Sequence, residues 1–263
     1  MPFTLPADST AVLDRAIFKL TGADAARYLN GQCSQDVSLA TDSTAVYAVV
    51  SNFKGKLEGD CYLRRHEGAI FIDTAAELRE DLFMRLDRYI IADDAELIDV
   101  TDEFDLVHTI SENGTWSVNR FGQDGSDSLV AKGSATGTLS SDDLEKSRIS
   151  HAIPAWGAEL DNDTLPPEAA LESRAVSYTK GCYTGQEVIS RMKSSGKTNR
   201  HLVLLSLDKA LPTGTPLLCE GATAEKPAGV ITSVCEIDGK QIALAYRKRK
   251  FQDITKFDNA VVL

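Results

Sequence analysis

From residue 201 onward the pattern is all strand and turn, with several short strands punctuated by Gly and Pro. HLVLLSL opens the stretch and Pro212-Thr213-Gly214 turns it. Residues 229–234, 241–246 and 260–263 supply further strands. Several short strands with turn residues between them predict a small β-barrel. Upstream, helical and strand periods alternate, so the boundary falls near residue 198. The expected architecture is an α+β body over residues 1–198 and a C-terminal β-barrel over 199–263.

Within the body, Thr21-Gly22-Ala23-Asp24 has capping-box form and predicts a helix over AARYLNGQ. Residues 44–50 are β-branched and aromatic, and Asn52-Phe53-Lys54-Gly55-Lys56 reads as the turn into strands at 59–63 and 69–72. The strongest helical stripe covers 77–91, with Leu78, Leu82, Phe83, Leu86, Tyr89 and Ile90 on one face. A strand follows at 96–100, then short strands over 104–119 around Glu112-Asn113-Gly114. The Gly-, Ser- and Asp-rich stretch 122–141 reads as a surface loop, and Glu103, Asp124, Asp127, Asp142 and Asp143 as solvating charges. Ser140 and Asp143 cap a helix through Ile149.

Acidic residues outnumber basic ones 39 to 28, giving a net charge of −11. Such a surface repels polyanions and argues against a DNA-coating role or direct DNA binding. The longest nearly unbroken apolar stretch, 202–207, is far short of the ~20 residues of a membrane-spanning helix. The N-terminal segment has no basic start followed by an apolar block, so the protein is expected to stay soluble where it is made. Cys33, Cys61, Cys182, Cys219 and Cys235 are scattered without C-x-x-C spacing. That usage signals neither a disulfide framework nor a zinc site, and a cytoplasmic location fits it. His66, His108 and His201 stand singly and read as structural.

The chemistry-bearing segment is Lys180-Gly181-Cys182-Tyr183-Thr184-Gly185-Gln186-Glu187, continuing as a helix through Arg191. Its glycines allow a tight turn and close backbone approach. A cysteine just before a helix start, two residues from Lys180, is placed to favour the thiolate. Tyr183 offers a stacking face, and Gln186 and Glu187 offer hydrogen bonds to a polar heterocycle. The plainer reading is a turn with Cys182 as a small buried filler.

KGCYTGQE resembles the signature of the YgfZ-type folate-binding proteins, which are relatives of the glycine-cleavage T-protein (aminomethyltransferase) acting in iron–sulphur cluster assembly or repair. The resemblance extends to LTGAD and YLNGQCSQDV near the N-terminus, to Lys54-Gly55-Lys56, to RISHAIPAWGAEL (148–160), and to the entry and middle of the barrel. It implies a three-lobed body with a central tetrahydrofolate pocket and Cys182 at or near it. It further implies iron–sulphur client or assembly proteins as partners, with tRNA-modifying enzymes affected through their clusters. The pterin-gripping carboxylate of the aminomethyltransferases falls in the region of Glu159 and Glu168, and either fits. Glu168, after Pro166-Pro167, also suits a plain helix first turn. Trp156 either stacks on the pterin or fills the core.

One departure concerns the paired aspartates of the aminomethyltransferases, where this chain has Gly59-Asp60. Loss of one member argues against glycine-cleavage activity, although a folate-dependent aminomethyltransferase or demethylase remains the alternative. Asp60 also reads as a strand cap. Arg247-Lys248-Arg249-Lys250 reads as a solvated loop or as a contact for an anionic partner such as tRNA or a folate polyglutamate tail.

Overall fold

The computed structural model describes residues 2–263. The chain begins with β1 (Thr10–Leu13), β2 (Arg15–Thr21), α1 (Ala25–Gln32), β3 (Val46–Ser51), β4 (Leu57–His66) and β5 (Ala69–Ala75). It continues with α2 (Arg79–Asp87), β6 (Glu96–Asp99), β7 (Phe104–Thr109), β8 (Trp116–Val118), β9 (Gly125–Ala131) and α3 (Ser141–Ser150). A single-turn α4 (Glu172–Ala175) and α5 (Gln186–Ser195) precede β10 (Arg200–Leu207) and β11 (Pro216–Leu217). The last strands are β12 (Gly229–Ile237), β13 (Lys240–Lys248), β14 (Lys256–Phe257) and β15 (Ala260–Val262).

Three sheets result, in the orders β3-β4-β5-β2-β6, β1-β7-β9-β8 and β11-β12-β13-β10-β15-β14. β5 explains how the first two meet. All seven of its residues are buried, because successive side chains leave opposite faces of a strand covered on both sides. Ile70 and Ile72 join the core with Leu29 of α1 and Leu82 of α2. Ala69 and Phe71 point the other way, against Leu106 of the second sheet.

The third sheet is barrel-like, as the strand-and-turn pattern predicts. β10 and β13 pair continuously from Arg200↔Lys248 to Leu207↔Gln241. Across the remaining gap, the amide of Asp258 donates to the Leu218 carbonyl at 3.0 Å, tying the β14–β15 turn to the end of β11. Its interior is apolar, with Leu205, Ile231, Ala245 and Phe251 at the centre.

Several elements depart from the sequence expectations. The regular part of the 77–91 helix is only α2, preceded by a 3-10 turn over Ala76–Leu78. Tyr89 and Ile91 lie outside it and are exposed. α1 forms where expected, but Asp24 makes no side-chain cap. Its carboxylate instead accepts from the Asp94 amide and from Arg27. The Ser140–Asp143 box closes in both directions.

The largest correction is in 122–141. β9 lies between β7 and β8, inside the second sheet. Asp127 is 0% exposed, the opposite of a solvating charge. A polar strand can be central only when its charges are compensated, and Asp127 accepts from Arg120 Nη2 at 2.7 Å and pairs with His108 Nδ1 at 2.9 Å.

Candidate functional site

β4 carries Asp60, Tyr62 and Arg64 at alternate positions, so all three project from one face of the first sheet. β3 and β5 extend that face through register: Tyr47 lies opposite Tyr62, and Tyr62 opposite Asp73. The two tyrosine rings stand 4.7 Å apart, and the Arg120 guanidinium lies 3.9 Å over Tyr62. Above this aromatic wall is a cavity of about 280 Å³. The β1–β2 junction with Asp14, the end of β5 with Glu77 just beyond it, the Arg120–Phe121 segment, Arg148, residues 153–156 after α3 and Arg174 complete its lining.

Asp60 is the unusual group there. One carboxylate oxygen accepts from Tyr47 Oη at 3.0 Å, and the other is buried with no hydrogen-bond partner. Burial raises its carboxyl above the usual carboxylate range, against the opposing pull of Arg15 and of the Tyr47 hydroxyl. A buried oxygen without a donor is costly, and such costs persist where a ligand supplies the donor.

The cations of the cavity divide into two kinds. Arg15, Arg120 and Arg148 are each bound to carboxylates: Arg15 to Asp73, Arg120 to Asp73 and Asp127, Arg148 to Glu145 and Glu159. Arg174 lines the same cavity and has no carboxylate partner among the described residues, donating to the Asn119 carbonyl at 3.0 Å. One wall therefore offers an acceptor short of a donor and a cation short of an anion.

Beneath the cavity, Arg15, Arg64 and Arg120 converge on Asp73, and Arg64 and Arg120 also reach Asp127. Burial pushes both carboxyls up, but Arg120 and Arg64 outweigh it and hold each below the usual range. This network fixes the guanidinium that forms part of the cavity wall.

Of the residues singled out in the sequence, Trp156 borders the cavity. Glu159 is 2% exposed and spent: it binds Arg148, accepts from Ser233 Oγ at the β12 bulge, and its carbonyl accepts from Tyr246 Oη at 2.9 Å. Glu168 sits in a 3-10 turn over Pro166–Ala169 and accepts from Arg200 Nε at 2.9 Å. Both carboxylates pin the body to the third sheet and neither lines the cavity.

Lys180, expected beside the thiol, donates its three protons to the carbonyls of Asn30, Cys33 and Gln35 at 2.7–2.8 Å. It thereby holds the end of α1. Tyr183 is buried against Val176 and Ile189, and burial pushes its phenol up to about 12. Gln186 and Glu187 open α5 away from the cavity lining. Cys182 is exposed, which removes the buried-filler reading, and it is not part of the cavity wall. Gly185 is needed at its position: φ is +87°, and a Cβ would meet Ser51 Oγ at 2.5 Å and the Asn52 carbonyl at 2.6 Å.

The tRNA-modifying protein YgfZ of Aliivibrio fischeri ES114 is 26% identical, covering 93% of this chain and 86% of that protein. YgfZ of Escherichia coli O157:H7 is 25% identical over 91% of this chain and 85% of that protein. The chain is similar to YgfZ over more than nine-tenths of its length. The resemblance drawn from KGCYTGQE and the other segments thus holds over nearly the whole length. No protein-family model matches the sequence. In structure, glycine cleavage system aminomethyltransferase T from Bartonella henselae superposes with a TM-score of 0.79 at 15% identity, covering 98% of this chain and 85% of that one. The fold is that of the aminomethyltransferases.

A Cβ on Gly59 would meet Leu82 Cδ1 at 3.1 Å and Leu78 Cδ1 at 3.5 Å, on the α2 side of the sheet. An aspartate there would point away from the cavity, so its loss removes nothing from the site. Asp60, not position 59, carries the buried carboxylate of the cavity, and Asp14 and Glu77 border it from exposed positions. The readable signal was charge inside strands at one parity: Asp60, Arg64 and Asp73 interrupt segments that are otherwise strand-like.

Among the described residues, no group of three or more His, Cys, Asp or Glu is arranged to hold a metal ion, and no helix is long and apolar enough to cross a membrane.

Proposed function

We propose that this protein binds tetrahydrofolate or a close derivative in the central cavity and serves iron–sulphur cluster assembly or repair. It would thereby support cluster-dependent enzymes, including those that modify tRNA. The observation that carries the folate reading is the coexistence, on one cavity wall, of the donor-starved Asp60 and the unpaired Arg174. A reduced folate complements both, since its pterin bears N–H donors and its glutamate is anionic. At about 280 Å³ the cavity lies near the lower end of small-molecule sites, about 300–1,000 Å³, which suits the bicyclic head with the tail emerging. Trp156 and the Tyr47–Tyr62 pair supply apolar faces for the rings. Bound tetrahydrofolate supplies a carrier for one-carbon units.

Quenching of Trp156 fluorescence on titration with tetrahydrofolate tests this directly, with Trp156→Phe as the control. Arg174→Ala is expected to weaken binding about tenfold, the scale of one charge-assisted hydrogen bond. Absence of saturable binding overturns the folate reading.

The exposed Cys182 suits a thiol that meets another protein, which supports an accessory role in cluster handling. Cys182→Ala is therefore expected to bind tetrahydrofolate normally yet fail to restore a cluster-dependent enzyme in cells lacking the protein. Full restoration rejects the thiol role. The alternative, a folate-dependent aminomethyltransferase or demethylase, is favoured by one observation: Asp60 has the raised pKa of an acid–base group. Formation of one-carbon-loaded folate from an amine substrate, lost in Asp60→Asn, identifies that activity.

A further inference from the structure

The chain is strongly acidic, yet one face gathers cations that nothing neutralises. Antiparallel pairing of β10 with β13 sets Arg200 opposite Lys248, and the Arg249 amide donates to the Asn199 carbonyl at 2.9 Å. Two basic segments some fifty residues apart in sequence thus become neighbours: the end of α5 with the lead into β10, and the turn after β13. Lys193, Lys197, Lys248, Arg249 and Lys250 are all exposed, and none takes part in an ion pair among the described residues. Of the nearby acids, Glu168 is paired with Arg200, while Glu172 is hydrogen-bonded by the Tyr178 hydroxyl and keeps its charge. His201 reports the same field: burial, then the Arg247 charge, hold its imidazole below its ordinary value, with Glu168 and Glu172 opposing. A groove of about 530 Å³, lined in part by Lys193, Thr198 and His201 and also by Glu172 and Tyr178, runs alongside.

We propose that this face, built from the end of α5, the start of β10 and residues 248–250, docks the phosphate backbone of RNA. Polyphosphate is favoured over an acidic protein by what the patch lacks. Protein interfaces are centred on apolar and aromatic side chains and are depleted in lysine. Here four of five cations are lysines, and no large apolar side chain is exposed within 191–200 or 247–250. Strong negative charge elsewhere confines a polyanion to this face. The choice of RNA over DNA rests on the proposed service to tRNA-modifying enzymes.

Fluorescence anisotropy with an unmodified tRNA transcript, a DNA duplex and a polyglutamate peptide tests the assignment. The tRNA is expected to bind at low salt, with affinity falling as salt rises on a log–log slope of about −4 for five phosphate contacts. K248E/R249E/K250E should weaken binding at least tenfold and K193E/K197E should weaken it too, while tetrahydrofolate binding is unchanged in both. Undiminished tRNA binding by either variant, or polyglutamate binding as tightly as tRNA, overturns the proposal. Equal affinity for the DNA duplex overturns the assignment to RNA. Failure of folate binding in the unsubstituted protein counts against the cavity reading and leaves this result separate.

Discussion

Asp127→Asn is expected to cost about 3–5 kcal/mol of folding stability, the usual penalty for removing one partner from a buried ionic cluster. The aspartate is completely buried in β9, accepts from Arg120, pairs with His108 and lies in ion-pair range of Arg64. An amide cannot neutralise two guanidinium groups, and Asp73 already serves three. For a domain whose total stability is about 5–15 kcal/mol, this is a large share. Urea denaturation at neutral pH measures it, and a loss under about 1 kcal/mol would show that the cluster is not the support described here. The pH dependence has a definite sign. The folded protein holds Asp127 and Asp73 below the unfolded value of 3.8, so the unfolded chain takes up protons first on acidification. Stability from these groups is fully present above that value and lost as pH falls through the folded ones. Asp127→Asn should accordingly flatten the acid limb of the stability curve.

Asp60 is expected to behave in the opposite sense. Its carboxyl is raised in the folded state, first by burial, so ionisation opposes folding. Asp60→Asn should raise the melting temperature at neutral pH, and that gain should vanish as pH falls towards 3.8, where both states become protonated. Tetrahydrofolate affinity should move the other way. Asp60→Ala, which removes the acceptor altogether, is expected to weaken binding about ten- to a hundredfold, the scale of a hydrogen bond to a charged group. A carboxylate that costs stability and contributes affinity is a ligand group, whereas a strand cap would lose stability and leave binding untouched. Unchanged affinity in Asp60→Ala removes the central support for the folate reading.

Much of the fold was legible because local rules and tertiary structure agreed. The strand-and-turn run after residue 200 gave the six-stranded sheet, and the Ser140–Asp143 box gave the start of α3. β9 was not legible. Its Gly, Ser and Asp content matches a loop by every local measure, and it is a strand only because arginines from elsewhere meet Asp127. The candidate site divides in the same way. KGCYTGQE marked a segment whose Gly185 is fixed by close packing, yet the cavity groups lie on β3, β4 and the segments around Arg120 and Arg174.

The amino-acid order alone determined the similarity to YgfZ, the α+β body followed by a strand-rich tail, and the glycine-flanked turn carrying Cys182. These depend on patterns within a few residues or on contiguous motif matches. Only the tertiary structure decided which charges are spent and which are free. Glu159, Glu168 and Lys180 are consumed by partners distant in sequence, while Asp60 and Arg174 are left facing one cavity. Pairing of charges is a property of three-dimensional proximity, and strand parity shows only which side of a sheet a group occupies, not what waits for it there.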